Sequence, residues 1–267
     1  MKGISSNRTL FKLVALAAIL SISTLSTVNA SVIVSAQTAI DLCACTGPVD
    51  GDFSIIEGGT TTTSTYSGAN VTSGSAILSG SSLNNNGDGI GFSGSAALND
   101  DYFSVGFDSF MDIENTSATT TYDVILKLVF SNSVAASGTD AYAYTDFFMD
   151  LNGVEEFFTY LYSDTVNGNT IGDTDTGNDG GALSESGTLL FNDTLNPLET
   201  LQFVLSLTVD GRDLWSDGSV SFDFSQFLSV ESIQAQGVAQ DVSAPASLFL
   251  FLMAITGLVA RNRKIKN

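Results

Sequence analysis

The chain has no histidine in its 267 residues. The commonest general base and the commonest metal ligand of proteins are therefore missing. Neither a Ser-His-Asp nor a Cys-His nucleophile system can be built, and zinc sites of the usual kind are excluded with them. Basic residues are almost as scarce, with nine Lys and Arg against 29 Asp and Glu and a net charge of −20. Lys2, Arg8 and Lys12 stand before residue 13, and Arg261, Arg263, Lys264 and Lys266 after residue 260, so that only Lys127 and Arg212 lie between. Residues 31–240 carry 28 acids and two bases, a net charge of −26. A domain of that charge repels nucleic acid and anionic membrane surfaces and favours cations; nucleic acid is excluded as a partner. Helical periodicity is absent from residues 31–240, which removes the crossovers that a parallel sheet needs. What stays open is paired-carboxylate chemistry and oxygen-ligated calcium.

The pattern that is present has a period of two. Phe103, Val105, Phe107, Met111 and Ile113 share one face, as do Tyr122, Val124, Leu126, Leu128 and Phe130, and Leu201, Phe203, Leu205, Leu207 and Val209. Val220, Phe222 and Phe224 begin a further run. Such alternation predicts half-buried antiparallel strands. Asn152-Gly153 between two apolar runs predicts a two-residue hairpin, and Asn196-Pro197 and Asp210-Gly211 predict turns. The expected fold is all-β, an antiparallel β-sandwich or jelly roll over residues 31–240. Residues 58–99 are rich in Gly, Ser, Thr, Asn and Ala with one charge, Asp88, and read as weak strands around a turn at Asn86-Gly87-Asp88-Gly89. Within them Ser73-Gly74-Ser75-Ala76-Ile77-Leu78 recurs as Ser93-Gly94-Ser95-Ala96-Ala97-Leu98, too few copies for a solenoid.

The two ends differ from this middle. Lys2, Arg8 and Lys12 lead into the apolar residues 13–20, and the segment closes at Val28-Asn29-Ala30. That is the layout of a secretory signal peptide over residues 1–30, with cleavage expected after Ala30. Residues 241–267 hold Val242-Ser243-Ala244-Pro245, an uncharged apolar run at about 247–260, and the basic stop Arg261, Arg263, Lys264 and Lys266. Counted from Val242, the run is long enough for a transmembrane helix, and its basic end stays cytoplasmic. The expectation is export through the inner membrane, with residues 31–241 outside and Arg261 to Lys266 inside.

Few constellations suggest chemistry. Asp173, Asp175 and Asp179 alternate with small residues and offer oxygen ligands for calcium. Gly177 stands where an EF-hand ligand belongs, and a solvated acidic loop is the other reading. Glu155-Glu156 cannot serve one glycosidase site, because neighbours on a strand point to opposite faces; no catalytic residues are expected. Trp215, the only tryptophan, either stacks on a sugar ring or caps the core. Tyr142/Tyr144 and Tyr160/Tyr162 are i, i+2 pairs on single faces, either a strip for glycans or cross-strand packing. Cys43 and Cys45 meet an oxidising compartment, as a local disulfide staple, a labile redox pair or an intermolecular crosslink.

Val242, Pro245, Ser247-Leu248, Gly257 in the apolar run, and Arg261, Arg263 and Lys264 give the tail a further likeness. It resembles the PEP-CTERM sorting domain of Gram-negative, exopolysaccharide-producing bacteria. The family signature is Pro-Glu-Pro, and Ser243-Ala244-Pro245 keeps its last proline. The stretch Val220–Ile233 is similar to the last strands before the tail in family members. The resemblance implies an exosortase as processing partner, removal of the helix near Pro245, and delivery to the cell surface or extracellular matrix. A structural or adhesive role is expected, with a carbohydrate-binding module, or a carboxylate-dependent glycan hydrolase, as the alternative; exopolysaccharide is the partner either would meet.

Overall fold

A computed structural model describes residues 32–42, 49–67, 75–98, 101–213, 215 and 217–237. The signal peptide, the sorting tail, Cys43 and Cys45 lie outside the described residues. Fourteen strands follow one another: β1 (Val32–Leu42), β2 (Val49–Glu57), β3 (Thr60–Ser67), β4 (Ser75–Gly80), β5 (Gly89–Leu98), β6 (Asp101–Asn115), β7 (Tyr122–Ser137), β8 (Ala141–Leu151), β9 (Val154–Asp164), β10 (Thr170–Ile171), β11 (Thr174–Asp175), β12 (Gly181–Leu195), β13 (Thr200–Asp213) and β14 (Ser219–Ala235). No helix occurs among the described residues, and hence none long and apolar enough to cross a membrane. The strands form an eight-stranded sheet, β11-β10-β9-β8-β13-β6-β1-β4, and a six-stranded sheet, β12-β7-β14-β5-β2-β3. The registered pairings are antiparallel, so the all-β, antiparallel expectation holds.

The alternation builds the core. Phe103, Val105, Phe107, Met111 and Ile113 of β6 are buried, as are Tyr122 to Phe130 at every second position of β7 and Leu201 to Val209 at every second position of β13. Phe107 reaches across from the eight-stranded sheet and meets Phe53, Tyr66, Phe92 and Phe224 of the other, with ring centroids 4.9–6.2 Å apart. A second cluster joins Phe130 of β7 to Phe147 of β8 and Phe157 of β9. Rings at tilted and edge angles at these spacings are favourable beyond their burial. The inner faces of the two sheets thus pack on each other.

The Asn152-Gly153 hairpin forms between β8 and β9, and both residues take positive φ, 51° and 77°, as a type I′ turn demands. Asn196-Pro197 lies between β12 and β13, as expected. Asp210-Gly211 does not turn the chain. It lies inside β13, where Asp210 pairs with Ser104 and Tyr144, and Gly211 with Phe103 and Ala143. A Cβ on Gly211 would stand 2.4 Å from the Phe222 ring and 2.7 Å from Val220. Close approach of the opposite sheet, rather than turn geometry, requires the glycine. The two copies of the Ser-Gly-Ser-Ala repeat also part company: residues of the first lie in the edge strand β4, and the second lies within β5 of the other sheet.

Among the polar side chains in the core rows, two amides form a pair. Asn132 of β7 and Gln226 of β14 are buried, and Gln226 Nε2 donates to Asn132 Oδ1. The other ends of both amides, Asn132 Nδ2 and Gln226 Oε1, lack a partner. Gln226→Leu should therefore cost about 1–3 kcal/mol, since it orphans the Asn132 amide as well. The double variant Asn132→Leu/Gln226→Leu should recover most of that loss, because replacing both partners removes the desolvation penalty. Urea midpoints of the single and double variants check this.

Candidate functional site

The strand order sets five of the seven tyrosines on one outer face of the eight-stranded sheet. Tyr142 and Tyr144 alternate with buried Ala141, Ala143 and Thr145 on β8, and so point away from the core. On β9, Tyr160 and Tyr162 alternate with buried Thr159, Leu161 and Ser163. The register sets Tyr144 opposite Tyr162 and Asp146 opposite Tyr160. Tyr144 lies 5.9 Å from Tyr160 and 6.4 Å from Tyr162; Tyr142 is 6.1 Å from Tyr162, and Tyr160 stacks on Tyr162 at 14°. Tyr102 joins from β6, two strands away, through Arg212 of β13, which pairs with both Tyr102 and Tyr142. The Phe148–Phe158 pair continues the row along β8 and β9. Of the two expectations for the tyrosine pairs, cross-strand packing is what forms, with the rings left half-exposed.

Charge is concentrated under and beside the rings. Asp210 is only 6 % exposed. Its Oδ2 accepts the Tyr102 hydroxyl at 2.8 Å, and its Oδ1 finds no partner at hydrogen-bonding geometry. Arg212 is held to Asp140 at 3.1 Å and lies 5.3 Å over the Tyr142 ring, a cation–π contact. Asp146 sits between Tyr144 and Phe148 on β8, with Oδ1 buried and unpartnered. Burial and the neighbouring Glu155 push its carboxyl above the ordinary range. At the end of β9, Asp164 takes the Tyr162 hydroxyl.

The phenols titrate high. The hydrogen bond to Asp210, then burial, raises Tyr102. Burial first and Asp210 second raise Tyr142 and push Tyr144 up to about 12. Burial, with Asp146 for Tyr160 and Asp164 for Tyr162, raises the other two. All five hydroxyls therefore stay protonated near neutral pH, able to donate and to accept. The arrangement offers half-exposed tyrosine rings, protonated hydroxyls and carboxylates beside them.

The outer face of the six-stranded sheet is chemically different. Thr65, Asp52, Ser93, Ser225, Ser131 and Ser186 form a row across all six strands. Hydroxyls dominate it, without tyrosine.

The sequence candidates are not gathered at one place. Asp173, Asp175 and Asp179 are exposed on the segment carrying β10 and β11. Asp175 Oδ1 accepts the Gly177 amide at 2.8 Å, and no group of three carboxylate, thiol or imidazole side chains gathers as a metal site among the described residues. Trp215 is 55 % exposed in the connection between β13 and β14, its amide donating to Asp213 Oδ1. The indole does not cap the core. Glu155 and Glu156 are exposed at a bulge of β9. The sequence carries no site signal for Asp210, Asp146 or Tyr102: the Asp-Gly pair has the look of a turn, and Tyr102 lacks a tyrosine neighbour on its own strand.

No protein-family model matches the chain, and no curated protein matches it at a significant level. The class defined by fold and site is an acidic, two-sheet antiparallel β domain with an aromatic outer face.

Proposed function

We propose that the protein is an exported surface or extracellular-matrix component, sorted through its PEP-CTERM-like tail, whose β-sandwich serves a structural or adhesive role. One observation carries the reading: the last strand of the domain closes before the sorting-like tail begins. β14 ends at Ala235 in a turn, shortly before Val242. The acidic charge of residues 31–240 against the basic termini supports it too. An exosortase-type enzyme is the processing partner, acting while the precursor spans the inner membrane. Exopolysaccharide is the surrounding that the mature protein meets. The exposed tyrosine face, broad rather than cleft-like, favours adhesion over catalysis.

The test is expression of the full chain in a Gram-negative host with and without its exosortase, followed by fractionation and intact-mass analysis. With the enzyme, a mature form should begin at Ser31, lack the tail beyond the Pro245 region, and appear at the cell surface. Without it, the tailed form should stay in the inner-membrane fraction. Removing residues 242–267 should release nearly all of the protein to the periplasm or medium in both hosts. Uncut protein in the cytosol of both hosts refutes the proposal.

A further inference from the structure

The outer face of the eight-stranded sheet combines three features. The first is concentration. Five of seven tyrosines share one face, while the opposite face presents a hydroxyl row without any. The second is orphaned charge. Asp146 and Asp210 each keep a buried carboxylate oxygen without a partner, and Asp210 is more than nine-tenths buried among Tyr102, Tyr142 and Tyr144. A buried polar atom left unmatched costs stability unless something else uses it. The third is sign. Arg212 is already committed to Asp140 and to the Tyr142 ring, so Asp146, Asp210 and Asp164 leave the face negative.

Each feature narrows the ligand. Half-exposed rings with centroids about 6 Å apart offer apolar surface to the C–H faces of sugar rings, and the protonated hydroxyls serve sugar hydroxyls at the margins. The negative potential disfavours uronate or sulfated chains, since like charges brought together repel. Tyrosine faces and carboxylates both attract an ammonium group. We infer that this face binds a polysaccharide carrying free amino groups, a polymer of the deacetylated amino-sugar class, with Tyr144, Tyr160 and Tyr162 as the stacking platform and Asp146 as a contact for the ammonium. The inference rests on the proposed surface or matrix location for its biological setting, not for its chemistry.

Calorimetry on the purified full chain in detergent tests it, with four probes: a fully deacetylated glucosamine hexasaccharide, cellohexaose, a galacturonate hexasaccharide and spermine. The glucosamine hexamer should bind, and the other three should bind at least about tenfold more weakly. Tyr144→Ala/Tyr160→Ala should lower its affinity by about tenfold or more. Asp146→Asn should bring the glucosamine hexamer and cellohexaose to similar affinities. Asp223→Asn, on the other sheet, should change nothing. If the alanine pair fails to fold by circular dichroism, Tyr144→Leu/Tyr160→Leu keeps the burial and removes the ring faces, and should lose binding equally.

Absence of binding at millimolar hexasaccharide overturns the inference. So does equal binding of spermine, which would show charge without stacking, or of cellohexaose to the unaltered chain, which would show stacking without charge. Undiminished binding by folded tyrosine variants overturns it as well. Because binding is measured on purified protein, failure of tail processing in cells leaves this result standing, and the two ideas fail separately.

Discussion

Phe107→Ala should lower the unfolding free energy by about 3–5 kcal/mol, the range for removing a large buried aromatic side chain. Phe107 is fully buried and is the one ring of the eight-stranded sheet that touches Phe53, Tyr66, Phe92 and Phe224 together. Its neighbours come from three strands of the opposite sheet and from β3 at that sheet's edge, so the space it leaves cannot be closed by one side chain changing rotamer. The cost should therefore fall near the upper part of the range, since unrelieved cavity volume adds to the lost transfer energy. Phe158→Ala, of identical chemistry on the exposed tyrosine face, should change stability by no more than about 0.5 kcal/mol. Urea unfolding of the two variants decides the matter. A shift in midpoint at constant m-value is the expected signature, and equal shifts for both would show that the inner cluster does not hold the sheets together.

That contrast also marks what the sequence could and could not disclose. Where one side of a strand meets the core and the other meets water, apolar and polar residues alternate, and the buried rows of β6, β7 and β13 as far as Val209, with the start of β14, were readable from the period of two. β12 was not. As the edge of its sheet it buries only Leu195, and its remaining fourteen positions alternate between exposed and half-exposed, which leaves little hydrophobic contrast to read. Asp210-Gly211 misled for another reason. A dipeptide favours a turn by a small local margin, whereas fourteen residues of β13 pair with β6 and eleven with β8; long-range pairing outweighs the local preference. The tyrosine pairs were visible at i, i+2, but the union of β9, β8, β13 and β6 that adds Asp210 and Tyr102 depends on strand order. Strand order follows from how the chain crosses between sheets, and the period of two does not encode it.

Asp164→Ala should cost about 2–4 kcal/mol and should make the protein less sensitive to acid, because this one carboxylate organises the connection that follows β9. Its Oδ1 accepts the amides of Val166 at 2.6 Å and Asn167 at 2.8 Å, and its Oδ2 takes the Tyr162 hydroxyl and Asn167 Nδ2. The side chain is only 4 % exposed. Burial alone would raise its carboxyl, but the bonds from the Tyr162 and Asn167 side chains and from the two amides outweigh it and hold the group below the ordinary range. Hydrogen bonds to a charged acceptor are each worth more than neutral ones, yet bonds sharing one carboxylate are not additive, hence the bounded figure. A folded value below the unfolded one fixes the sign: the stabilisation is complete above the unfolded value of about 3.9 and is lost as pH falls through the lower, folded one. Asp88 behaves alike. Burial raises it, while bonds from Asn85 and from the Gly58–Gly59 backbone lower it further. Unfolding free energies measured between pH 7 and pH 2 should decline for the unaltered chain below about pH 4. The decline should be shallower for Asp164→Ala and shallower still for Asp164→Ala/Asp88→Asn. Asp164→Asn keeps an oxygen for the two amides and should lose less stability than alanine at neutral pH, while losing the same acid dependence. Parallel pH profiles for all four proteins would show that neither carboxylate carries the linkage assigned to it.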